Sequence, residues 1–363
     1  MKNRIVIGLF LGFGCSSLIR FMLLLDLNKR VYNHSPGSCR IVRNVENGSA
    51  GIEYIREFDI ALITSGYAKS RGVQAVTGQV LMYDFSEKGG RYETKKLKIQ
   101  GVTLDRKSFV PHGISSFVSK GRVSVYITSS RPGNHTVEVF QFNKERLTLV
   151  HRKTIADSKF NNLADIAVVG ADRFFVTNFV FANKRWMQLI ELALQSSFGS
   201  IVYYDGKKSS YLEKYIPSPN GIAFDSTREY LYVASSINEF IRVYKVRKDM
   251  SVEHQIDIHL LSSPNKLFVE YETGDVWVAL HPVVFKAYAH IQNPTASEYR
   301  SPSQVLRIRI QDDRVSWVIT EPYANDGATI WGSSAVVFRQ SQMLIGSLFG
   351  RLLHCDIDNP QLV

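Results

Sequence analysis

The sequence predicts an all-β protein: a six-bladed β-propeller with an N-terminal transmembrane helix and one amphipathic helix over the top. Three observations lead there. A short segment, two or three β-branched, aliphatic or aromatic residues followed by small ones, recurs six times: ALITSG (61–66), VYITSS (125–130), FFVTNF (174–179), LYVASS (231–236), VWVALH (276–281) and LIGSLF (344–349). The stretches between recurrences alternate apolar and polar residues, as half-buried strands do. No long helical stretch dominates after residue 38. Units of this spacing hold four short strands each, the composition of a propeller blade.

The elements follow in order. Residues 1–4 form a short cytoplasmic tail. Residues 5–25 are almost wholly apolar, interrupted mainly by Ser16, Ser17 and Arg20, and about 20 apolar residues span a bilayer. We read this segment as an uncleaved signal anchor, because the apolar run resumes after Arg20; a cleaved signal peptide ending near Gly12-Phe13-Gly14 is the rival. Flanking charges, Lys2 and Arg4 before it and Lys29 and Arg30 after it, leave the orientation open. Three sequons at Asn33, Asn47 and Asn134 place the body on the luminal or extracellular side. Residues 26–38 are a linker and 39–363 the propeller.

Within the propeller, QVLMYDF (79–85), TVEVFQF (136–142) and FIRVYKV (240–246) read as strands, and Glu272-Thr273-Gly274-Asp275 as a turn before VWVAL. The small residues of the six recurring segments suit inner strands, where blades converge on a narrow channel. Residues 183–200 break the pattern. Trp186, Leu189, Ile190, Ala193, Leu194 and Phe198 fall at helical spacing, with Lys184, Arg185, Gln188, Glu191 and Gln195 mainly opposite. This helix either packs over the propeller or contacts a membrane or partner.

The composition is that of a globular protein, 45% hydrophobic and 21% charged, with a net charge of +11. Basic chains meet nucleic acid or acidic surfaces. No basic run interleaved with aromatics and no nucleic-acid motif is present, and an anchored luminal body excludes that class of partner. The three cysteines are Cys15, in the apolar segment and read as a small buried residue, and Cys39 and Cys355, which bracket the propeller. An oxidising compartment permits a disulfide between the last two; two separate thiols are the alternative.

The sequence lacks H-E-x-x-H, G-x-S-x-G and a P-loop. What stands out instead is a set of loops, each before a strand: PHGIS (111–115), NLADI (162–166), PNGI (219–222) and PNKL (264–267). In a propeller such loops converge at one end of the channel. His112, Asp165, Asn220 and Asn265 are then neighbours, unless they only satisfy turn backbone groups.

These loops, with CRIVRNVENGS (39–49), PHGISSF (111–117), NNLADIAVVG (161–170), PNGIAF (219–224), YETGDVWVALHP (271–282) and LLHC (352–355), carry a family resemblance from about Ser38 to the C terminus. The chain resembles the paraoxonases, calcium-dependent lactonases and arylesterases on a six-bladed propeller. The resemblance puts the catalytic-calcium ligands at Ala50, Ala164, Asn220, Pro264 and Asn265, where only the two Asn keep a ligating side chain. It puts the structural calcium at Gly51, Asp165 and the Ile114 carbonyl, so a weakly held calcium there is the most it implies. The family's His pair becomes His112 and Arg131, and its disulfide matches Cys39 and Cys355. Calcium needs 6–8 oxygens with carboxylates among them, and Arg does not accept a proton near neutral pH. The resemblance therefore implies a pseudoenzyme with no catalytic residues and no resident cofactor.

Among paraoxonase-like proteins it is most similar to the nematode membrane-anchored group that assists assembly and transport of degenerin/epithelial-sodium-type channel subunits. The expected function is thus that of a chaperone or accessory subunit in the endoplasmic reticulum or at the plasma membrane. A calcium-dependent lactonase with rearranged ligands and a metal-free propeller binding a hydrophobic molecule are the alternatives.

Overall fold

In the computed structural model the described residues are 2–87, 91–101, 104–131, 133–311 and 316–358, with the side chains of residues 2–4, 10, 17, 21 and 24 set aside. Met1 of the expected tail and residues 359–363 of the expected propeller lie outside them.

Among the described residues the strands form six sheets around a channel. After β1 (Cys39–Val42), blade one holds β2 (Gly51–Ile55), β3 (Ile60–Ser65), β4 (Gln79–Asp84) and β5 (Lys95–Lys96). Blade two holds β6 (Lys98–Gln100), β7 (Pro111–Ser119), β8 (Arg122–Arg131), β9 (Asn134–Asn143) and β10 (Thr148–Ala156). Blade three is β11 (Leu163–Gly170), β12 (Arg173–Asn178), β13 (Gly199–Tyr204) and β14 (Ser209–Ile216). Blade four is β15 (Pro219–Asp225), β16 (Tyr230–Ser235), β17 (Phe240–Val246) and β18 (Val252–His259). Blade five is β19 (Ser263–Val269), β20 (Val276–His281), β21 (Ser303–Ile310) and β22 (Trp317–Asn325). Blade six takes β23 (Ser333–Arg339), β24 (Gln342–Ser347) and β25 (Leu352–Asp356), and its outer strand is β1 from the other end of the chain.

That shared blade closes the ring. β1 pairs antiparallel with β25 in the register Cys39↔Cys355, and the two cysteines are disulfide-bonded. The core lies in layers between blades. Ile60, Leu62, Val80 and Met82 of blade one pack on Val123, Val125, Phe140 and Leu149, and equivalent clusters fill the other interfaces. Each such side chain contributes about 1.5–3 kcal/mol when fully buried, so inter-blade packing is the main stabilising term.

One sequence expectation needs correcting. The six recurring segments are the second strands of their blades, β3, β8, β12, β16, β20 and β24, not the channel-lining ones. They read as unbroken apolar runs because both faces are covered by neighbouring blades; β3 and β20 are buried at every residue. The innermost strands are β2, β7, β11, β15, β19 and β23.

The insert in blade three is shorter than expected, and of the two orientations left open it takes the one with the apolar face outward. Helix α2 covers Arg185–Ala193, so Leu194 and Phe198 lie beyond it. Glu191, on the polar face, is its buried residue: its carboxylate accepts hydrogen bonds from the N–H groups of Phe181 and Ala182, each at 3.0 Å. Trp186, Ile190, Leu194 and Phe198 are exposed. The helix thus tethers the 179–184 turn with its polar face and leaves its apolar face unpartnered.

Helix α1 (Lys2–Leu24) precedes the propeller, with Cys15 free and exposed rather than buried. Among the described residues no helix is long and apolar enough to cross a membrane. The linker is docked: Phe285 and Val284, at the start of α3 (Val284–Gln292), donate to the Leu25 carbonyl and the Asp26 carboxylate, and His34 pairs with Ala324 through both backbone groups. Asn33 and Asn134 are exposed and Asn47 is half-buried.

Candidate functional site

Every innermost strand from β7 onward carries a register shift close to its start: between Pro111 and Ile114, Leu163 and Ile166, Pro219 and Ile222, Pro264 and Leu267, and Ser333 and Ala335. A bulge leaves residues unpaired with the neighbouring strand and re-aims them. The freed pairs are His112-Gly113, Ala164-Asp165, Asn220-Gly221 and Asn265-Lys266. The four pairs lie at the end of the channel where these strands begin, but the partners recorded for His112, Asp165, Asn220 and Asn265 are Tyr67, Lys266, Ser236 and His281 rather than one another.

The quartet PHGI, LADI, PNGI and PNKL is therefore one motif in four blades. Its third position holds Gly113, Asp165, Gly221 and Lys266. Blades three and five present opposite charges there, with glycine beside them. A Cβ at Gly221 would lie 2.3 Å from the Asn265 carbonyl oxygen, and one at Gly113 would lie 2.6 Å from Asp165 Oδ1. Only glycine fits so close to the charged pair.

Lys266 Nζ stands 3.2 Å from Asp165 Oδ1 and donates to the Ala164 carbonyl at 3.1 Å. Asp165 Oδ2 accepts from the Ile222 N–H at 3.2 Å. Both charged residues are buried. Burial pushes the Asp165 carboxyl up from the usual range, opposed by the Lys266 ammonium and by the N–H groups of Ile222 and Ile166. A buried charge persists only when paired and hydrogen-bonded, and each supplies what the other lacks. Sequence reasoning singled out Asp165 and passed over Lys266. The available signal was a lysine in a position otherwise occupied by glycine or aspartate.

His112 lies at the rim, its ring stacked on Tyr67 at 4.1 Å. Burial, then the charges of Lys266 and Arg71, hold its pKa well below 6.5. Its Nε2 has no hydrogen-bond partner among the described residues. Arg131 ends β8; the Asp105 carboxyl is held low first by the Ser108 hydroxyl, then by the Lys107 and Ser108 N–H groups, with the Arg131 charge adding least. Asn220 donates to Ser236 Oγ at 3.1 Å, and Asn265 Nδ2 lies 3.0 Å from His281 Nε2. Glu53 is further along the channel, accepting from the Ser116 N–H and hydroxyl at 2.7 Å each; burial raises its pKa to about 7. It stands with Asp165 and Lys266 in the lining of a channel cavity of about 230 Å³.

The donor set does not fit calcium. At the expected catalytic position only Asn220 and Asn265 bring side-chain oxygens; Ala50, Ala164 and Pro264 bring none. At the expected structural position Asp165 is already engaged by Lys266, whose ammonium would repel a divalent cation at the same carboxylate. Gly51 leaves no room for a second carboxylate, since a Cβ there would lie 2.4 Å from the His112 carbonyl oxygen. Among the described residues no group of three His, Cys, Asp or Glu side chains is placed to hold a metal ion.

Comparison with known proteins matches the Arylesterase family over residues 31–357. The chain belongs to the arylesterase, or paraoxonase, family. Among its relatives, Mechanosensory abnormality protein 6 of Caenorhabditis elegans is 44% identical over 99% of this chain and 97% of its own length. Serum paraoxonase/arylesterase 1 of Homo sapiens is 29% identical over 88% of this chain and 89% of its own. Among solved structures, a luciferin-regenerating enzyme aligns with a TM-score of 0.54 at 13% identity, covering 88% of this chain and 94% of its own. A glucose dehydrogenase aligns at 0.55 and 10% identity, covering 89% and 100%. These structural matches establish the propeller alone. Within the arylesterase family, this chain carries a buried ammonium at the hub of its ring.

Proposed function

We propose that this arylesterase-family protein is a non-catalytic, membrane-anchored chaperone or accessory subunit for ion-channel subunits of the degenerin/epithelial-sodium type, with its propeller in the lumen of the endoplasmic reticulum or outside the cell. One observation carries the non-catalytic half: Lys266 lies against Asp165, the one carboxylate kept at the positions matched to the family's calcium ligands. A carbonyl substrate bound there would meet the Lys266 ammonium in place of a Lewis-acid cation, and burial beside the Lys266 and Arg71 charges weakens His112 as a base.

The accessory role is supported by the 44% identity, over nearly the whole of both chains, to a relative named for abnormal mechanosensation. It is also supported by apolar surface at one end of the propeller. The linker after α1 docks on Val284 and at Leu261 and Ser262, beside the starts of the innermost strands, and α2 follows the end of β12 at that same end. The apolar run of residues 5–25 supplies the anchor, and α2 with Trp186, Leu189, Ile190, Leu194 and Phe198 meets the membrane or the channel subunit.

The test is co-expression of the full chain with a degenerin-type subunit, reading co-purification in mild detergent and the fraction of subunit at the cell surface. Increased surface subunit with direct co-purification is expected. Lactone hydrolysis by the same preparation, abolished by a calcium chelator, would overturn the reading in favour of an enzyme.

A further inference from the structure

A second cavity lies away from the channel, at the opposite end of blade two. β7 runs away from His112 and turns back at Lys120-Gly121, and β9 turns into β10 at 144–147. Between these two turns is a cavity of about 550 Å³ lined by Arg122, Arg146 and Arg152 together with Gln100, Asn143 and Val150. No carboxylate lines it; Glu145, the acid next to Arg146, is not part of the wall. Among the described residues none of the three guanidinium groups makes a hydrogen bond or ion pair with a neighbour.

Three chain segments hold these arginines, and each is fixed. Arg122 follows Gly121, whose φ of +71° makes the tight β7–β8 turn. Arg146 sits in a turn closed by its own N–H on Asn143 Oδ1 at 2.8 Å, and the next carbonyl, of Leu147, accepts from the Lys98 N–H at 2.8 Å. Arg152 is the extra residue of the bulge between His151 and Lys153. That bulge is pinned from inside by buried Glu138, which binds His151 Nε2 at 2.9 Å and the Thr154 hydroxyl at 2.6 Å. The backbone under the three arginines is therefore set before any ligand arrives.

We infer that this cavity is a binding site for a compact tetrahedral oxyanion, a phosphate or sulfate group. A planar carboxylate is satisfied by one guanidinium fork, whereas a tetrahedral oxyanion accepts from several directions at once. Three unpaired forks from three segments match the second. Because the site opens at the end away from α1 and its linker, the group belongs to a soluble molecule or to a partner that reaches down the side of the propeller. The headgroup of the anchoring bilayer is on the other side.

The experiment is calorimetric titration of the full chain, held in detergent micelles, with inorganic phosphate and with inorganic sulfate, at low and at physiological salt. Saturable one-to-one binding is expected, weakened about tenfold or more by the double variant Arg146→Gln/Arg152→Gln, the loss of charge-assisted hydrogen bonds. The charge-matched control Lys207→Gln/Lys208→Gln, on the Asp205–Lys208 turn of blade three, leaves affinity unchanged. Absence of saturable binding, or equal affinity in the arginine variant, overturns the inference. Equal loss in the lysine control overturns it as diffuse charge, and a response to poly-glutamate without one to phosphate or sulfate overturns it in favour of an acidic protein segment.

Discussion

Lys266 Nζ lies 3.2 Å from Asp165 Oδ1 across the hub of the propeller, with the two side chains 5% and 8% exposed. The ammonium ties blade five to blade three through a carboxylate and a backbone carbonyl. Breaking such a pair by removing one partner is strongly destabilising, about 3–5 kcal/mol, because the remaining charge stays buried alone. Lys266→Met and Asp165→Asn are each expected to cost that much in denaturant unfolding. The double variant Lys266→Met/Asp165→Asn is expected to recover much of the loss, and equal, additive losses would contradict the coupling.

The same pair predicts indifference to calcium. A bound ion stabilises in proportion to the logarithm of its saturation. Unfolding temperatures of the full chain in millimolar calcium and in chelator should therefore coincide. A calcium-dependent rise of several degrees would show that the ion displaces or shares Lys266.

Acid should weaken the fold through its buried imidazoles. Burial holds His281 and His290 at about 4, against an ordinary value near 6.5. Both pKa values are depressed, so the unfolded chain binds more protons between these limits. Their contribution is complete above pH 6.5 and is lost as pH falls toward 4. Glu53, raised to about 7, works against them: its burial stabilises below about 4.5, and that contribution is lost as pH rises toward 7. Glu53→Gln is accordingly expected to steepen the rise in stability between pH 4.5 and 6.5, measured as unfolding temperature against pH.

Ring closure gives a separate stability prediction. The Cys39–Cys355 bond spans 316 residues, and the chain-entropy relation assigns a loop of that length about 5–6 kcal/mol. Cys39→Ser should lower stability by up to that amount while leaving the β1–β25 pairing in place. Hydrogen exchange at Ile41 and Leu353 would rise well above the rate set by global unfolding if the outer strand instead detaches.

Helix α2 should respond to substitution in the reverse of the usual order. Glu191→Ala leaves the Phe181 and Ala182 N–H groups without their acceptor and is expected to cost about 1–3 kcal/mol. Ile190→Ser and Leu194→Ser, on the exposed face, should be nearly neutral in unfolding and, on the proposed function, reduce retention on membranes or on the channel subunit. A large unfolding penalty from either serine variant would mean that this face is packed on the propeller.

Much of the molecule was legible in its residues. Six recurrences of an apolar run followed by small residues specified six blades, since a strand covered on both faces admits little else. The pairing of chain ends was legible only in part: Cys39 and Cys355 bracket the ring, but oxidation state and register belong to the folded ring. The orientation of α2 stayed open, because periodicity separates two faces without saying which one the propeller needs. Phe181 and Ala182 present two N–H groups to it, so the carboxylate of Glu191 turns inward.

The linear sequence determined the blades, the apolar N-terminal run and the sequons, because each of these depends on local pattern or residue type alone. Only the tertiary structure decided which charge meets Asp165 at the hub. Asp165 and Lys266 are 101 residues apart, counting from 165 to 266, and nothing local ties them. Bulges at the starts of β11 and β19 aim them at one point, where burial makes each the other's counter-ion.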